Sequence, residues 1–483
     1  MKNYLAIDLG AESGRIIVGT IDQGRLQLTE TYRFSNGPVQ RADGLHWDVY
    51  HLWDEIQAGM ARSAVSYVIE SVAIDAWGVD FALMDAQGQL IELPFHYRDG
   101  RTDGMLAKVF SWVPQNEIFS QTGIQFMQIN TLYQLLAMKL ANSPALAKAQ
   151  TLLLIPDLFN YWMSGVQCSE FTDATTTQCY DPEQRDWAYP LLEKLGLPIG
   201  IFPPVCAPGT ILGLLNPEVA QKTGLGPARV VAPACHDTGS AVVAVPAEGQ
   251  DFVWLSSGTW SIMGCETPEP NLSQRALDFN LTNEGGVFDT WRLSKNIMGL
   301  WLLQECKREW GLSYDEIMAT IPDTEPFMAV IDLDAPAFLH PGGMEAKIRQ
   351  FCERSGQAVP QSQGEVARVI LESLALKYRF VLERLETLIG KRLAPIHIIG
   401  GGTKNRFLNQ FTADSTGREV ITGPAEATAI GNILMQAIAL GDLEDLRAAR
   451  MVVRASFSPE KYVPRPDSRW DAAYDTLLAL MAQ

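Results

Sequence analysis

The sequence predicts an α/β protein built from two related domains, and three observations support this fold class. The chain has 483 residues, which is too long for one ordinary hydrophobic core and sufficient for two large domains. A pattern of apolar strand, tight polar turn and second apolar strand occurs twice, at 4–19 and at 252–264. Strand-like and helix-like segments alternate after the first copy. We therefore expect a first domain over residues 1–244 and a second over residues 245–483.

The turn of each repeated hairpin is rich in glycine and hydroxyl-bearing residues. The first turn contains Gly10, Ser13 and Gly14, and the second runs from Ser256 to Thr259. Backbone N–H groups and hydroxyls crowded into such a turn form an anion-binding nest. Two nests facing one central cleft would suit a polyphosphate, whereas each turn alone could be an ordinary hairpin turn. Neither copy matches G-x-x-x-x-G-K-[ST], which excludes a P-loop nucleotidase.

Composition places the chain among globular proteins and excludes several classes of partner. Hydrophobic residues make up 47% of the chain and charged residues 19%, so the chain is not disordered. The formal net charge of −18 argues against nucleic acid and anionic membranes as partners, because both require a basic surface. The seven cysteines include no CxxC pair, which predicts neither a disulfide framework nor a zinc site.

No signal peptide or membrane span is predicted, and we expect a cytoplasmic protein. Asp8 interrupts the first apolar stretch early, and only Lys2 precedes that stretch. No segment approaches the ~18 consecutive apolar residues of a membrane helix. Because the acidic chain repels anions, a phosphate would have to be held by local N–H groups, by Mg²⁺ and by a few basic residues such as Arg15.

The order of elements in the first half indicates a specific type of domain. A third strand is predicted at Arg25–Phe34, and Asp48 can N-cap a helix with an apolar face from Val49 to Ala64. A buried strand follows at Ser71–Trp77, and residues 97–204 are predicted to form a mostly helical elaboration that could wall a substrate pocket. Three strands, a helix and a further strand resemble the RNase H-like unit of actin, Hsp70 and sugar kinases.

The second half contains a long helix and a glycine-rich loop. The apolar face of the helix ends near Leu388, and Gly390 is predicted to close the helix at the C′ position. A strand at Ile396–Ile399 leads into Gly400–Gly402. A further helix over Ala425–Leu440 has small residues on one face, and we expect it to pack closely behind this glycine loop.

Asp8 and the glycine loop are candidate ligand sites, and each has a structural alternative. Asp8 stands at a strand end, where a carboxylate could hold the water shell of Mg²⁺ or simply belong to a turn. The loop is not a Rossmann fingerprint, because position 405 is Asn where G-x-G-x-x-G requires glycine. Three glycines still indicate a close approach to the backbone, either by a nucleoside or by tight helix–strand packing.

Asp237 is the candidate for acid–base chemistry. It lies in Cys235-His236-Asp237-Thr238, directly after an apolar stretch, where an unpaired charge is costly to bury. Asp237 could N-cap the following helix, or it could accept a hydroxyl proton during phosphoryl transfer. A carboxylate suffices for the second role, because positioning matters more than early proton removal in a loose transition state.

Nine segments resemble motifs of the FGGY carbohydrate kinases over essentially the whole chain. They are LAIDLGAESGR (5–15), IDAWGVDF (74–81), HYRDGRT (96–102), TDATTTQ (172–178), CHDTGSAV (235–242), LSSGTWSIMG (255–264), NEGG (283–286), KNIMGLWLLQE (295–305) and HIIGGGTKN (397–405). The resemblance implies two RNase H-like (actin/Hsp70-type) domains around a central ATP/sugar cleft. It also implies that the first domain binds the sugar and that the second binds the nucleotide.

The same resemblance implies roles for individual residues. Asp237 is implied to be the proton acceptor, and Asp8 is implied to support Mg²⁺. The residues implied to contact the sugar are Gly78, His236, Asp237, Thr238 and Asn296. The residues implied to bind ATP are Ala11, Glu12, Ser13, Gly14, Arg15, Thr259, Gln304 and Gly402. Trp77 and Tyr97 are either walls of the sugar site or core aromatics.

Within the family, the segments WGVDF, YRD and KNIMGLW resemble members that act on L-rhamnulose. The implied reaction is phosphorylation of L-rhamnulose at O1 by ATP, with a small-molecule ketose and ATP as partners and a monomer or weak homodimer as the assembly. Another ketose, such as fuculose or xylulose, and a non-catalytic ATP-binding sugar sensor are the alternatives. Glu12 and Cys235 depart from the commoner family pattern, and Glu12 places a carboxylate near the expected γ-phosphate.

Overall fold

The computed structural model describes residues 2–482, which form two compact units that are each discontinuous in sequence. The first unit comprises the residues up to Pro246 together with Glu266–Leu293 and Glu426–Ser458, and the second comprises Ala247–Cys265, Ser294–Ala425 and the residues from Pro459 onward. Two segments from the second half of the sequence therefore fold with the first half. The functional division after residue 244 stays a prediction.

The strands are mostly short. In chain order they are β1 (Lys2–Leu9), β2 (Ser13–Asp22), β3 (Arg25–Ser35), β4 (Pro38–Arg41), β5 (Gly44–Trp47), β6 (Ser71–Asp75), β7 (Phe81–Met84), β8 (Thr151–Leu154), β9 (Ser169–Glu170), β10 (Tyr180–Asp181), β11 (Asp186–Trp187), β12 (Val205–Cys206), β13 (Thr210–Leu214), β14 (Arg229–Ala232), β15 (Val253–Ser257), β16 (Trp260–Thr267), β17 (Thr282–Gly285), β18 (Trp291–Met298), β19 (Ile396–Ile399), β20 (Val420–Thr422) and β21 (Lys461–Tyr462).

The helices alternate with these strands. In chain order they are α1 (Val49–Ala64), α2 (Met105–Phe110), α3 (Gln115–Thr122), α4 (Thr131–Leu140), α5 (Pro144–Lys148), α6 (Ile155–Ser164), α7 (Phe171–Ala174), α8 (Tyr189–Lys194), α9 (Pro217–Thr223), α10 (Asp237–Val243), α11 (Gln274–Asp278), α12 (Trp301–Trp310), α13 (Tyr314–Thr320), α14 (Met344–Arg354), α15 (Gln363–Ile389), α16 (Arg406–Thr416), α17 (Ala427–Ala439), α18 (Leu446–Ser456) and α19 (Arg469–Met481).

The first unit is organised around a six-stranded sheet with the order β13-β14-β6-β1-β2-β3. Strands β1, β6 and β14 are parallel neighbours, whereas β2 and β3 follow β1 as antiparallel hairpins. Apolar residues of β1 are buried from Tyr4 to Leu9, because helices cover the sheet on both faces. This arrangement confirms the predicted RNase H-like fold class and the predicted third strand.

The second unit contains a sheet in which β16, β15, β19, β20 and β21 are successive neighbours. Strand β15 forms a hairpin with β16 and pairs in parallel with β19, as β1 does with β2 and β6. The repeated hairpin of the sequence is therefore a repeated structural unit. Each copy presents its polar turn at the end of its sheet where the parallel strands terminate.

Local capping signals in the sequence set the ends of two helices. The Asp48 side chain accepts a hydrogen bond from the His51 N–H at 3.1 Å and caps α1, as predicted. Helix α15 ends at Gly390, which has the left-handed φ of +74° expected of a C′ glycine. Although α15 is 27 residues long, neither it nor any other helix within residues 2–482 combines the length and hydropathy of a bilayer-spanning segment.

Helix α17 belongs to the first unit and packs against α10. A Cβ atom at Gly431 would overlap the backbone carbonyl of Ser240, so the two helices can approach only where residue 431 is glycine. Gly431 therefore serves the contact with α10. Packing of this helix behind the Gly400–Gly402 loop stays a prediction.

Two buried amide side chains join α17 to the sheet of the first unit. Gln436 accepts a hydrogen bond from the Ser71 hydroxyl at 2.6 Å and donates one to the Leu5 carbonyl at 3.1 Å. Asn432 donates to the Asp75 carboxylate at 2.6 Å. Leu5 lies on β1, whereas Ser71 and Asp75 lie on β6. Helix α17 is therefore hydrogen-bonded to both parallel strands.

We predict that Gly431→Ala destabilises the first unit. The new methyl group must displace the Ser240 backbone, so the free energy of unfolding should fall by about 2 kcal/mol or more, although alanine improves helix propensity by ~1 kcal/mol. Urea unfolding followed by circular dichroism measures the change. Gly200→Ala is the matched control, because a Cβ atom there has no neighbour within 4 Å. Equal unfolding midpoints for the two variants would contradict the prediction.

Candidate active site

Acidic residues meet where three parallel strands of the first unit end. Asp8 of β1 lies opposite Asp75 of β6 in the parallel register. After β14, the backbone continues alongside β6, so that the Asp237 N–H donates to the Ala76 carbonyl at 2.8 Å. Asp8, Asp75 and Asp237 are therefore brought to one edge of the sheet, as expected for residues at the carboxyl ends of parallel strands.

These carboxylates influence each other's protonation. Burial raises the pKa of Asp8 to about 6, the charges of Asp237 and Glu426 add to the rise, and Arg15 opposes it. Burial and then the charge of Asp8 raise the pKa of Asp75 well above its usual value, although the Asn432 amide opposes this shift. Mutual repulsion among the carboxylates makes this edge of the sheet favourable for a cation.

Arg15 is the cation that the chain itself supplies to this edge. It lies directly opposite Asp8 in the β1–β2 hairpin and forms ion pairs with Asp8 and with Glu426, the residue before α17. The Arg15 side chain is about one-fifth exposed, which leaves part of it accessible to a ligand. Arg15 is therefore held in place by two carboxylates.

The turn between β1 and β2 is closed by backbone hydrogen bonds. The Gly10 N–H donates to the Ser13 carbonyl at 2.9 Å, and the Asn36 side chain donates to the Gly10 carbonyl at 2.8 Å. The Glu12 side chain is exposed. A Cβ atom at residue 14 would collide with the Phe34 ring, so packing alone already requires Gly14.

His236 lies in a buried charged network beside Asp237. Its Nε2 atom is 3.4 Å from Asp237 Oδ1, and its Nδ1 atom is 3.0 Å from a guanidinium nitrogen of Arg292. Glu284 lies 3.3 Å from Nδ1 and 3.2 Å from Arg292. Burial alone would raise the pKa of Glu284, but Arg292 and His236 outweigh it and hold that pKa below its usual value. The network fixes the orientation of the His236 ring.

The backbone before Asp237 is held by two side chains from the helical elaboration. Glu170 accepts a hydrogen bond from the Cys235 N–H at 2.8 Å, and the Thr172 hydroxyl accepts one from the His236 N–H at 3.2 Å. Thr172 in turn donates its hydroxyl proton to Glu170. Two successive amides are therefore anchored immediately before the candidate base.

Asp237 does not N-cap α10. The N-cap residue is His236, and Asp237 is the first residue of the helix, with its Oδ1 atom accepting a hydrogen bond from the Thr238 hydroxyl at 3.0 Å. The Asp237 side chain is 35% exposed, compared with 5% for Asp8. Of these two carboxylates, Asp237 is the one that a substrate can reach, and the N-cap alternative was wrong.

Gly78 follows β6 by three residues and lies close to this edge. A Cβ atom at Gly78 would be 2.7 Å from the Thr176 hydroxyl, which accepts a hydrogen bond from the Val79 N–H at 3.1 Å. Val79 has a φ of +69°, which a β-branched residue rarely adopts. The Thr131 hydroxyl donates to the Val79 carbonyl at 2.6 Å and helps to hold this strained backbone.

The aromatic residues next to Gly78 are organised by one buried carboxylate. Asp80 accepts hydrogen bonds from the indole of Trp47 at 2.6 Å, the indole of Trp77 at 3.1 Å and the Tyr97 N–H at 3.1 Å. The Trp47 and Trp77 rings are 4.1 Å apart. Trp77 is only 7% exposed and packs in the core, Tyr97 is half-buried, and a role for either as a wall of the sugar site stays a prediction.

The second unit gathers its own group of candidate residues around the turn between β15 and β16. The Leu300 and Trp301 N–H groups donate to the Gly258 and Thr259 carbonyls at 2.9 and 3.2 Å. These bonds attach the start of α12, which carries Gln304, to the turn. Asn296 lies on β18, four residues before Leu300.

The glycine loop of the second unit lies against Ser257. A Cβ atom at Gly402 would collide with the Ser257 side chain, whereas one at Gly401 would have no neighbour within 4 Å. The absence of a side chain at Gly402 is therefore explained by packing against β15. Gly401 is the glycine of this loop that leaves open space beside the backbone.

The candidate residues thus form two groups, one in each unit. The first group comprises Asp8, Ala11–Arg15, Gly78 and His236–Thr238, and the second comprises Thr259, Asn296, Gln304 and Gly402. Sequence reasoning did not assign a role to Asp75, Glu170, Glu284 or Arg292. Asp75 carries the same signal as Asp8, since both are acidic residues at the end of a buried strand.

We predict that Glu170→Gln changes the pH dependence of stability. Burial raises the pKa of Glu170 from 4.5 to about 7. The contribution of protonated Glu170 to the free energy of unfolding is therefore fully present below pH 4.5. It is lost as the pH rises through about 7. Because glutamine does not titrate, the variant should gain on the order of 2 kcal/mol relative to wild type between pH 5 and pH 8.

Urea unfolding of both proteins at a series of pH values measures this difference. Glu218→Gln, which replaces an exposed carboxylate of the same unit, is the control and should follow wild type. A Glu170→Gln variant whose stability runs parallel to wild type across this range would show that Glu170 does not titrate there.

Two family models match the chain, one over each half. The N-terminal domain of the FGGY family of carbohydrate kinases matches residues 3–244, and the C-terminal domain of the same family matches residues 253–440. Both matches include the candidate residues of their half.

Full-length relatives agree with these models. The chain is 42% identical to a rhamnulokinase from Bacteroides thetaiotaomicron over 475 residues, which covers 98% of each chain. It is 41% identical to a rhamnulokinase from Oceanobacillus iheyensis, covering 95% of this chain and 97% of the relative. A rhamnulokinase from Bacillus subtilis is 38% identical, with 96% of each chain covered.

Solved structures share the fold at much lower identity. A ligand-bound xylulose kinase from Lactobacillus acidophilus superposes with a TM-score of 0.84 at 14% identity, covering 100% of this chain and 98% of the other. A glycerol kinase from Plasmodium falciparum with ADP gives a TM-score of 0.79 at 14% identity, covering 100% and 97%. With both halves matched by its models and relatives aligned over nearly all its length, the chain belongs to the FGGY family of carbohydrate kinases.

Proposed function

We propose that this carbohydrate kinase transfers the γ-phosphoryl group of ATP to O1 of L-rhamnulose, giving L-rhamnulose 1-phosphate and ADP. The observation that best supports L-rhamnulose as the substrate is the 42% identity to a rhamnulokinase over 98% of both chains. By comparison, the chain is only 14–18% identical to xylulose kinases of the same fold. The segments WGVDF, YRD and KNIMGLW support the same substrate.

Asp237 is proposed as the group that accepts the O1 proton. It is accessible, it is held by the Thr238 hydroxyl, and the anchored amides of Cys235 and His236 precede it. In a loose phosphoryl-transfer transition state little proton removal is needed early, so a fixed carboxylate is sufficient. The Glu284–Arg292 pair would serve this chemistry by holding His236 beside Asp237.

The remaining candidates divide between sugar and nucleotide in the proposal. Gly78, His236, Thr238 and Asn296 would contact the ketose. The Ala11–Arg15 turn, including the exposed Glu12, and Thr259 would hold phosphates, since backbone N–H groups and hydroxyls gathered in a turn suit an anion. Gln304 and Gly402 would line the nucleotide site, with Gly401 providing open backbone next to it.

Mg²⁺ is part of the proposal, and the residues present fit it. Asp8 is a buried carboxylate with a raised pKa, and Asp75 and Asp237 add negative charge beside it. Mg²⁺ commonly uses one or two carboxylates together with substrate phosphates and water, so Asp8 would be its main protein ligand. The ion would supply charge neutralisation for the transferred phosphate.

We expect a cytoplasmic monomer or weak homodimer that uses ATP and a ketose and binds neither nucleic acid nor membrane. The net charge of −18 supports the exclusion of polyanionic partners.

Asp237→Asn should abolish turnover while preserving ATP binding. Loss of the proton acceptor should lower kcat by about 10²–10⁴-fold, because asparagine is nearly isosteric but cannot take up a proton. A coupled ADP-release assay measures turnover, and calorimetry measures the Kd for ATP. Asp54→Asn is the control, since Asp54 is an exposed residue of the same unit. A near-normal rate in Asp237→Asn would overturn the proposed mechanism.

The sugar assignment is tested by the same assay with L-rhamnulose, L-fuculose and D-xylulose. We expect the highest kcat/KM for L-rhamnulose, and nuclear magnetic resonance of the product should place the phosphate on O1. A higher kcat/KM with either other ketose would replace the substrate while leaving the kinase assignment intact. Absence of sugar-stimulated ADP release with all three would favour the non-catalytic sensor.

A further inference from the structure

Two cysteines outside the proposed active site lie in direct contact. The sulfur atoms of Cys168 and Cys206 are 2.8 Å apart, compared with about 2.05 Å in a disulfide bond. Within residues 2–482, none of the seven cysteines forms a disulfide bond. The contact therefore brings together two reduced thiols that differ by 38 positions in the sequence.

The backbone holds this pair together. Strands β9 and β12 are parallel, with Ser169 opposite Val205 and Glu170 opposite Cys206. The Ser169 N–H donates to the Pro204 carbonyl at 3.0 Å. Cys168 immediately precedes β9, and Cys206 ends β12. The backbone pairing of these two strands therefore holds the two thiols close together.

The two sulfurs share one hydrogen bond and are unequally exposed. A hydrogen bond from the Cys206 thiol holds the pKa of Cys168 below its usual value, although burial opposes it, and the same bond raises the pKa of Cys206. Cys168 is 9% exposed and Cys206 is half-buried. A thiolate, which is the reactive form of cysteine, is thus favoured next to a thiol and within reach of a small oxidant.

We propose that Cys168 and Cys206 form a reversible oxidation site, at which hydrogen peroxide converts the two thiols into an intrachain disulfide. The Cys168 thiolate attacks one oxygen of hydrogen peroxide, the O–O bond breaks, and a sulfenic acid and hydroxide form. The Cys206 sulfur then attacks the sulfenic sulfur, the S–O bond breaks, and the S–S bond forms. The released hydroxide and the departing hydroxyl take up the two thiol protons, so peroxide is reduced to two molecules of water.

The disulfide would protect the region that holds the candidate base. A sulfenic acid without a partner thiol is oxidised further to a sulfinic acid, which adds a permanent negative charge. At Cys168 or Cys206 that charge would stand beside the buried Asp157 and Glu170, which already interact electrostatically with these thiols. Glu170 anchors the Cys235 amide, so overoxidation should disturb the backbone before Asp237.

The test uses the full chain treated with hydrogen peroxide. After oxidation, the protein is alkylated in denaturant, digested and mapped by mass spectrometry, with and without dithiothreitol. We expect the number of free thiols to fall by two from seven, with the Cys168 and Cys206 peptides joined. Dithiothreitol should restore all seven thiols and the full kinase rate.

Cys168→Ser and Cys206→Ser show whether the pair protects the enzyme. In Cys206→Ser the Cys168 sulfenic acid has no partner thiol, so Cys168 should become a sulfinic acid and kinase activity should fall in a way that dithiothreitol does not reverse. In Cys168→Ser the attacking thiolate is absent, so Cys206 should stay reduced and activity should be kept. If a serine is not tolerated at the buried position 168, Cys206→Ser carries the test alone. Cys352→Ser, which removes a buried cysteine of the second unit, should behave like wild type.

Two results would overturn the proposal. One is a peroxide-treated wild type in which Cys168 and Cys206 remain free or are each overoxidised. The other is an equal and irreversible loss of activity in wild type and in Cys206→Ser. Neither result depends on which ketose the enzyme phosphorylates, because any sugar that supports turnover can serve as the readout.

Discussion

The attachment of α17 to β1 and β6 determines the geometry of the first unit. Gln436 and Asn432 place two amides in the interior, and each bonds to a different part of the parallel strand pair. A buried amide without its partners would be costly, so the helix and the strands must meet in one register. In the backbone pairing of β1 with β6, Asp8 lies opposite Asp75, and the chain after β14 continues to the same edge.

The charged groups at this edge depend on that alignment. Carboxylates repel one another when strand pairing brings them together. Arg15, which forms ion pairs with Asp8 and Glu426, offsets part of this repulsion. Glu426 directly precedes α17, so the helix that sets the register also contributes to the charge balance. A second pair, Glu284 and Arg292, supports His236. Structural stability and the proposed chemistry therefore rest on the same buried contacts.

Local signals made much of the fold predictable from the sequence. Asp48, Gly390 and the two alternating hairpins act over a few residues, so their caps, turns and strands could be read directly. The candidate residues of each half could likewise be found from motifs at strand ends. Their convergence within each unit follows from parallel strands ending at one edge.

Contacts between distant parts of the sequence could not be predicted in this way. Arg292 and Glu284 look like charged residues in short strands, and only the fold shows that they meet His236. The small residue Gly431 indicated a close contact but not its partner. Gly402 left a nucleoside and close packing both open, and only the fold shows that a Cβ atom there would collide with Ser257. For both glycines the sequence indicated that the space beside the backbone is restricted, but it did not identify the neighbouring residue.

The discontinuity of the first unit has a consequence for biosynthesis. Residues up to Pro246 leave the ribosome first, but α17 and α18 arrive only after the intervening residues, because the last segment of this unit ends at Ser458. At ~5–20 residues per second, the delay is about ten to forty seconds. During this time β1 and β6 lack their covering helix and expose apolar surface. The first unit can therefore reach its native packing only after α17 and α18 have been synthesised.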